Sequence, residues 1–203
     1  LCALPVEARW TPEVTMIVIE IEEARALVQR LMRKLEYGEA QSAIIADHII
    51  DCELRGLAYG GLSRAVSVAE KIKDSPEPRQ PLRIERSTSV SALIDGGNQA
   101  GYVTVHYATE IALQKAREHG IGITGVFNTW MTGMFAYYME MLTKAGLIGM
   151  AFGSSAWRVA PYASSEGRFG TNPLAFGFPT EGDPVIFDAA VSSTMISEAV
   201  MHK

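Results

Sequence analysis

Three features of the sequence predict an α/β fold with a helical N-terminal part. Apolar residues recur at helical spacing through residues 16–73, and three prolines crowd residues 74–81 (DSPEPRQP). Beyond them, short apolar runs alternate with helical segments through short connections, an order that calls for some parallel strand pairing. The chain divides on this basis into an irregular extension (1–15), a helical domain (16–73), a Pro-rich linker (74–81) and an α/β domain (82–203).

After the apolar run Ile17, Val18, Ile19 and Ile21, the spacing predicts a helix over Glu22–Leu35. Ala24, Leu27, Val28, Leu31, Met32 and Leu35 share its inner face. Glu22 and Glu23 in the first turn and Arg33 and Lys34 in the last suit the helix dipole, and Gly38 is the expected stop. A second helix is expected over Gly38–Arg55, with Ile44, Ile45, His48, Ile49 and Cys52 inward. Gly56–Ser63 is a glycine-rich loop, followed by a helix over Leu62–Lys73. In the α/β part, Ser89–Asp95 reads as a strand and Gly96-Gly97 as a turn. Tyr102–His119 reads as a helix capped by Gly120, and Ile121–Phe127 as a buried strand. Gly133–Lys144 is helical and closed by Gly146. Leu147–Phe152, Leu174–Phe178 and Val185–Phe187 complete the strands.

Composition excludes several functions. Of 203 residues, 48% are hydrophobic and 20% charged, an ordinary globular balance that argues against disorder. The net charge of −5 comes with no basic stripe, so nucleic acid is not an expected partner. No apolar run reaches membrane-spanning length, and the N-terminus lacks the basic head and long apolar run of a signal peptide. Two cysteines, Cys2 and Cys52, make neither a disulfide framework nor a zinc ligand set, which points to a reducing, cytoplasmic setting.

Gly120-x-Gly122-x-x-Gly125 has the spacing of a dinucleotide fingerprint. That mechanism needs a strand before the glycines and a helix after, and here the order is reversed, so they read as a helix cap and a tightly packed strand. Among the histidines, His48 lies on an apolar helix face and reads as packed core. His119 ends a helix and His202 is terminal. His106, early in its helix, could face a pocket. Gly170-Thr171-Asn172-Pro173 presents backbone N–H, hydroxyl and amide groups able to hold a phosphate or carboxamide, although composition alone favours a plain β-turn with Asn before Pro. Asp188 and Ser192 sit just past a strand, where ligand-facing groups gather, and also suit a helix N-cap. Arg55 and Arg64 flank the glycine loop. Either could fork onto a substrate carboxylate or serve structure alone.

Several blocks, in their order and spacing, resemble the type 2 malate/L-lactate dehydrogenases, a family that includes ureidoglycolate and sulfolactate dehydrogenases and piperideine-2-carboxylate reductases. They are Ala46-Asp47-His48 through Leu54-Arg55-Gly56, Ile94-Asp95-Gly96-Gly97-Asn98-Gln99-Ala100-Gly101, Ala116-Arg117-Glu118-His119-Gly120-Ile121-Gly122, Ala145-Gly146-Leu147-Ile148-Gly149, Val159-Ala160-Pro161, Gly170-Thr171-Asn172-Pro173-Leu174-Ala175-Phe176 and Phe187-Asp188-Ala189-Ala190-Val191-Ser192. The resemblance implies a helical N-terminal part, a non-Rossmann mixed-sheet nicotinamide-binding domain and a homodimer. It also implies NAD or NADP as cofactor and hydride transfer to or from a 2-hydroxy/2-oxo acid or cyclic imine acid, a small-molecule carboxylate. Asn128, Thr129, Gly170, Thr171, Asn172, Pro173, Asp188 and Ser192 would then face the cofactor, and Arg64 the substrate carboxylate.

The departures from the family pattern are specific. Where the family places Ser-His-Gly, this chain has Tyr59, Gly60 and Gly61, and Met131 stands where a second histidine belongs. The Pro-Trp-Gly-Gly turn reads Pro161-Tyr162-Ala163-Ser164. Losing a positioned acid/base costs about 10²–10⁴-fold in rate, so Tyr59 or His106 would have to replace it. Trp130 and Met131 make a bulkier, more apolar pocket, placing Trp130 among the substrate-binding candidates. Family members also continue well past the Asp188 block, so the cofactor domain is expected to be incomplete here, with the remainder supplied by a second chain as one possibility. The alternative is a relative without hydride chemistry, either a partner subunit or an enzyme turned to lyase or hydrolase chemistry.

Overall fold

The computed structural model describes residues 18–75 and 77–192. The 1–15 extension, Cys2, Ile17 and His202 lie outside them.

Three helices open the chain: α1 (Ile21–Lys34), α2 (Glu39–Leu54) and α3 (Ser63–Lys73). Helix α1 has the expected acidic first turn and basic last turn, and buries Ala24, Val28 and Met32. Leu27, expected inward, is 50% exposed, because the buried stripe follows the narrower i, i+4 row. Gly38 is not a stop but the N-cap of α2. The chain turns earlier, where Glu36 takes a left-handed φ of 64°. Helix α2 is the central helix, with Ile45, Ala46, His48, Ile49, Ile50 and Cys52 all buried.

The segment after α3 lies against the helices. Arg79 donates to the Leu35 carbonyl, its guanidinium stands 4.0 Å from the centre of the Tyr37 ring, and Gln80 N–H donates to Gly97 O at 2.7 Å. It leads into β1 (Arg83–Ser87), antiparallel to β2 (Ser91–Ala100). The sequence RIERS has no apolar alternation, so β1 carries no strand signal of its own. The expected Gly96-Gly97 turn is instead an irregularity within β2, where the pairing register shifts between Asp95 and Gln99. Helix α4 (Gly101–His119) then crosses to β3 (Ile123–Trp130), which pairs parallel with β2. Gly120 caps α4 in the left-handed region, φ 82°.

The expected burial of the Ile121–Phe127 strand is corrected: Ile123 is 56% and Phe127 44% exposed. Helix α4 packs on β2 and β3, and the alternate residues Ile123, Gly125 and Phe127 of β3 are exposed.

Helix α5 (Phe135–Lys144) follows, then an antiparallel sheet of β4 (Gly149–Phe152), β5 (Leu174–Phe178) and β6 (Val185–Ala189), in the order β4-β5-β6. Phe135, Tyr138 and Met139 of α5 and Ala175 of β5 form its core. Met150, Phe152 and Phe187 remain exposed, with the Phe176 ring centre 6.3 Å from Phe152 and 6.4 Å from Phe187. The larger core joins Val28, Met32, Ile45, Ile49 and Val68 of the helical part to Tyr102 at the start of α4. No helix among the described residues is long and apolar enough to cross a membrane.

Candidate functional site

The α2–α3 loop carries Tyr59 and leads to Arg64. Glu53 of α2 organises it, its carboxylate accepting the Leu62 N–H at 2.7 Å beside Gly61. Gly60 packs directly on Cys52, where a Cβ would stand 3.3 Å from the thiol sulfur. Tyr59 is half-buried, and its carbonyl accepts a hydrogen bond from Arg64 Nη2 at 2.8 Å. Arg64, also half-buried, spends one arm of its guanidinium holding this loop and acts electrostatically on Cys52 and Tyr102. Arg55 turns elsewhere: it pairs with Asp51 at 2.9 Å and with Glu140 of α5, tying two helices together.

At the end of β3, three candidates turn their polar groups toward the β2 irregularity. Asn128, at φ 52°, donates to Asp95 Oδ1 at 2.9 Å. Thr129 donates to Gln99 O at 2.8 Å and meets Thr104 Oγ1 at 2.8 Å. Trp130 Nε1 donates to Asn98 O at 3.0 Å. The Gly97 N–H and the Asn128 amide hold the Asp95 carboxyl below its ordinary range. Trp130 also borders an 830 Å³ cleft between Leu35, Ile72 and the 77–81 segment, whose walls include neither Tyr59, Arg64, His106 nor the Gly170–Pro173 turn.

Past Trp130 the chain makes a tight turn into α5, with Met131 at φ 54° and Gly133 at φ 73°. Met134 N–H donates to His48 Nε2 at 2.9 Å and also faces the Cys52 thiol. Cys52 therefore lies between the Gly60 backbone and this turn, joining the Tyr59–Arg64 loop to the 131–134 turn. Burial, with Asp51 adding, pushes its thiol up to about 11, a value that makes it a poor nucleophile. Burial likewise lowers the His48 imidazole from 6.5 to about 3, so His48 is neutral. His106 faces Tyr137 of α5 at 6.4 Å between ring centres, with Glu110 3.5 Å from Nε2. Its Nδ1 is buried and has no partner.

The Gly170–Pro173 turn is built against the ends of β4 and β6. Thr171 N–H donates to Ser155 Oγ at 3.0 Å, and Gly170 lies so close that a Cβ would stand 2.5 Å from the Ser155 carbonyl. Gly153 N–H donates to Pro173 O at 3.0 Å and Val191 N–H to Thr171 O at 2.9 Å, which brings Ser192 alongside. Asn172 takes φ 43°, and its Oδ1 is buried without a partner. Ser155 carries no distinguishing signal in the sequence, being a serine in a loop after a strand. Asp188 reaches from β6 to the start of α5, where Oδ2 accepts the Ala136 N–H at 2.8 Å. Burial raises its carboxyl above the ordinary value, against the opposing Ala136 and Phe135 N–H groups. Asp188 therefore caps a helix that precedes it in sequence, whereas the helix after β6 that the sequence would have it cap falls outside the described residues.

The N-terminal end of α5 is the meeting point. The 128–134 segment enters it, Asp188 caps it, and Phe135 packs beneath Gly153 on the way to the Gly170–Pro173 turn. Among the described residues, no group of three His, Cys, Asp or Glu is placed to hold a metal.

Comparison with known proteins agrees with this arrangement. The family model described as malate/L-lactate dehydrogenase matches residues 19–203. A malate dehydrogenase of Pyrococcus abyssi is 33% identical over 90% of this chain and 51% of its own length. An L-sulfolactate dehydrogenase of Methanothermobacter thermautotrophicus is 30% identical over 87% of this chain and 52% of its own. The solved structure of malate dehydrogenase from Pyrococcus horikoshii superposes with a TM-score of 0.84 at 31% identity, over 89% of this chain and 52% of that one. The chain spans about half the length of these relatives. With helices leading into a mixed α/β part, the motif blocks in order and a match from residue 19 onward, the chain belongs to the malate/L-lactate dehydrogenase family.

Proposed function

We propose that this chain provides the helical part and part of the cofactor site of an NAD(P)-dependent oxidoreductase. The substrate is a 2-hydroxy/2-oxo acid or a cyclic imine acid. The observation that carries the reading is Asn172 Oδ1, a buried acceptor without a partner in the turn that family resemblance assigns to the cofactor. A carboxamide N–H would satisfy that oxygen, and leaving it unmet costs about 1–3 kcal/mol. The nicotinamide, when bound, supplies the hydride acceptor or donor. Thr171 and Asn172 would hold it, backed by Ser155, while Asp188 keeps the start of α5 in place beside them.

Arg64 would pair with the substrate carboxylate through the N–H groups that Tyr59 O does not take; a guanidinium carries five. Tyr59 shares that loop, so carboxylate anchor and proton donor would come from one short segment. This favours Tyr59 over His106, which faces Tyr137 between α4 and α5.

Titration with NADH and NADPH, followed by energy transfer from the tryptophans, tests the reading. Saturable micromolar binding is expected, weakened roughly tenfold or more by Asn172→Ala, as loss of a buried polar partner implies. A folded chain that binds neither nucleotide defeats it. Tyr59→Phe with undiminished turnover removes the tyrosine's role.

A second reading, a family member without hydride chemistry, rests on Gly60 and Met131 at the positions of the family's two histidines. Copurification in fixed ratio with a chain bearing those histidines supports its partner-subunit form; turnover by this chain alone defeats that form.

A further inference from the structure

His48 occupies the middle of α2 and is completely buried. Its ring lies among three tyrosines, with centroids 4.9 Å from Tyr102, 4.4 Å from Tyr137 and 5.3 Å from Tyr138. Apolar packing alone could fill that space. What packing does not explain is the polar contact: Nε2 accepts the Met134 N–H at 2.9 Å, across 86 residues of sequence. On the other side of the turn, Tyr138 OH donates to Thr132 O at 2.7 Å. Gly133, between these two points, is held so tightly that a Cβ there would run into His48 Nε2 and come within 2.6 Å of Tyr102 Cε1.

We propose that His48, as a neutral imidazole, is a positioning residue: it clamps the Met131–Met134 turn and thereby sets where the start of α5 lies beside the Thr171–Asn172 cofactor turn. The clamp stands on this geometry alone. Its consequence for the ligand rests on the reading under Proposed function.

The chemistry is directional. To accept from Met134, Nε2 must carry the lone pair, so the proton sits on Nδ1. Nδ1 has no partner, so the ring has no second polar contact of its own. An imidazolium would set N–H against N–H and release the turn. The charged and titratable groups around the ring are Asp47, Arg55 and the Cys52 thiol on α2, His106 and Tyr102 on α4, and Tyr137 and Tyr138 on α5, the three phenols held protonated by burial. Asp47 favours a charged ring, but Tyr137 OH and Arg25 engage its carboxylate at 2.7 and 2.6 Å. Burial dominates, and the ring stays neutral down to about pH 3. The unfolded chain takes up its proton near 6.5, so the folding equilibrium weakens as pH falls between those values, by up to about tenfold per pH unit.

The experiment combines imidazole ¹⁵N spectra, amide exchange of Met134 and nucleotide titration on four chains: wild type, His48→Phe, His48→Gln and Ile45→Val. Wild type is expected to show an Nδ1-protonated ring at pH 7 and still at pH 5, with a protected Met134 amide. His48→Phe, which fills the space but accepts nothing, is expected to lose Met134 protection and NADH affinity by about tenfold or more each, the worth of one buried hydrogen bond. His48→Gln, which restores an acceptor, is expected to recover both. Ile45→Val, a core change on the same helix, is expected to move neither.

An Nε2-protonated or charged ring at pH 7 overturns the clamp. So does a folded His48→Phe with wild-type exchange at Met134; if that variant does not fold, loss of protection in a folded His48→Gln equally overturns it. Lost protection with unchanged NADH affinity overturns the link to the ligand. Wild type that binds neither nucleotide defeats the functional reading, and the ring and amide signals then decide the clamp by themselves.

Discussion

Gly120 and Gly133 take nearly the same backbone conformation, φ 82° and 73°, in opposite surroundings. A methyl group at Gly120 meets open space, whereas one at Gly133 meets His48 and Tyr102. Gly120→Ala should therefore cost only the left-handed backbone penalty, about 1 kcal/mol, while Gly133→Ala should cost about 3 kcal/mol or more. Urea unfolding of the two variants checks this, and equal losses would show that the turn yields around the added methyl. Of the two, Gly120 was legible in sequence, because a glycine after a basic helical turn is a local signal. Gly133 was not, since its constraint comes from α2 and α4. His48 was half legible: its place on the apolar face follows from spacing, but its bond to Met134 depends on how α2 and α5 cross. Asn128, Thr129 and Trp130 show the same limit, because their partners on β2 are about thirty residues away.

Strands β5 and β6 were legible because they alternate or run apolar between turn residues. Strand β1 was not, since Arg83-Ile84-Glu85-Arg86-Ser87 owes its structure to backbone pairing with β2. The apolar run of β3 cannot reveal whether one face or both will be covered, so its exposed face is invisible in the sequence. For helix α5 the informative element is its start, capped from β6 by Asp188 rather than by a preceding residue. Asp188→Ala should destabilise the chain by about 1–2 kcal/mol, and Asp188→Asn, which keeps one acceptor oxygen, by less. A carboxyl raised above its unfolded value contributes stability that is lost as pH rises through the raised value, opposite in sign to Asp47 and Glu140, whose carboxyls are held low. The wild-type minus Asp188→Asn difference should therefore fall as pH rises through that range. Nucleotide affinity separates the two roles of Asp188: an unchanged affinity in Asp188→Asn would leave it a helix cap alone.

Over the whole molecule, the larger core runs from α1 through α3 into the start of α4, so the N-terminal helices and the α/β part share buried side chains across the proline-rich segment. The sequence divides at those prolines by composition, and composition does not report what packs across a boundary. The outer faces of both sheets remain apolar, with Phe152 67% exposed and Ile123, Phe127, Met150 and Phe187 exposed with it. To a fluorescent probe of apolar surface, this native chain should resemble a half-melted one. Anilinonaphthalene sulfonate should glow with the folded protein while near-ultraviolet circular dichroism from Tyr102 and Tyr138, both fully buried, stays intact. A dye-monitored melt would then begin bright and change little at the transition; a dark native baseline would mean those faces are closed in solution. Dye brightness, a common first screen for misfolding, would thus reject this protein for a property of its native fold.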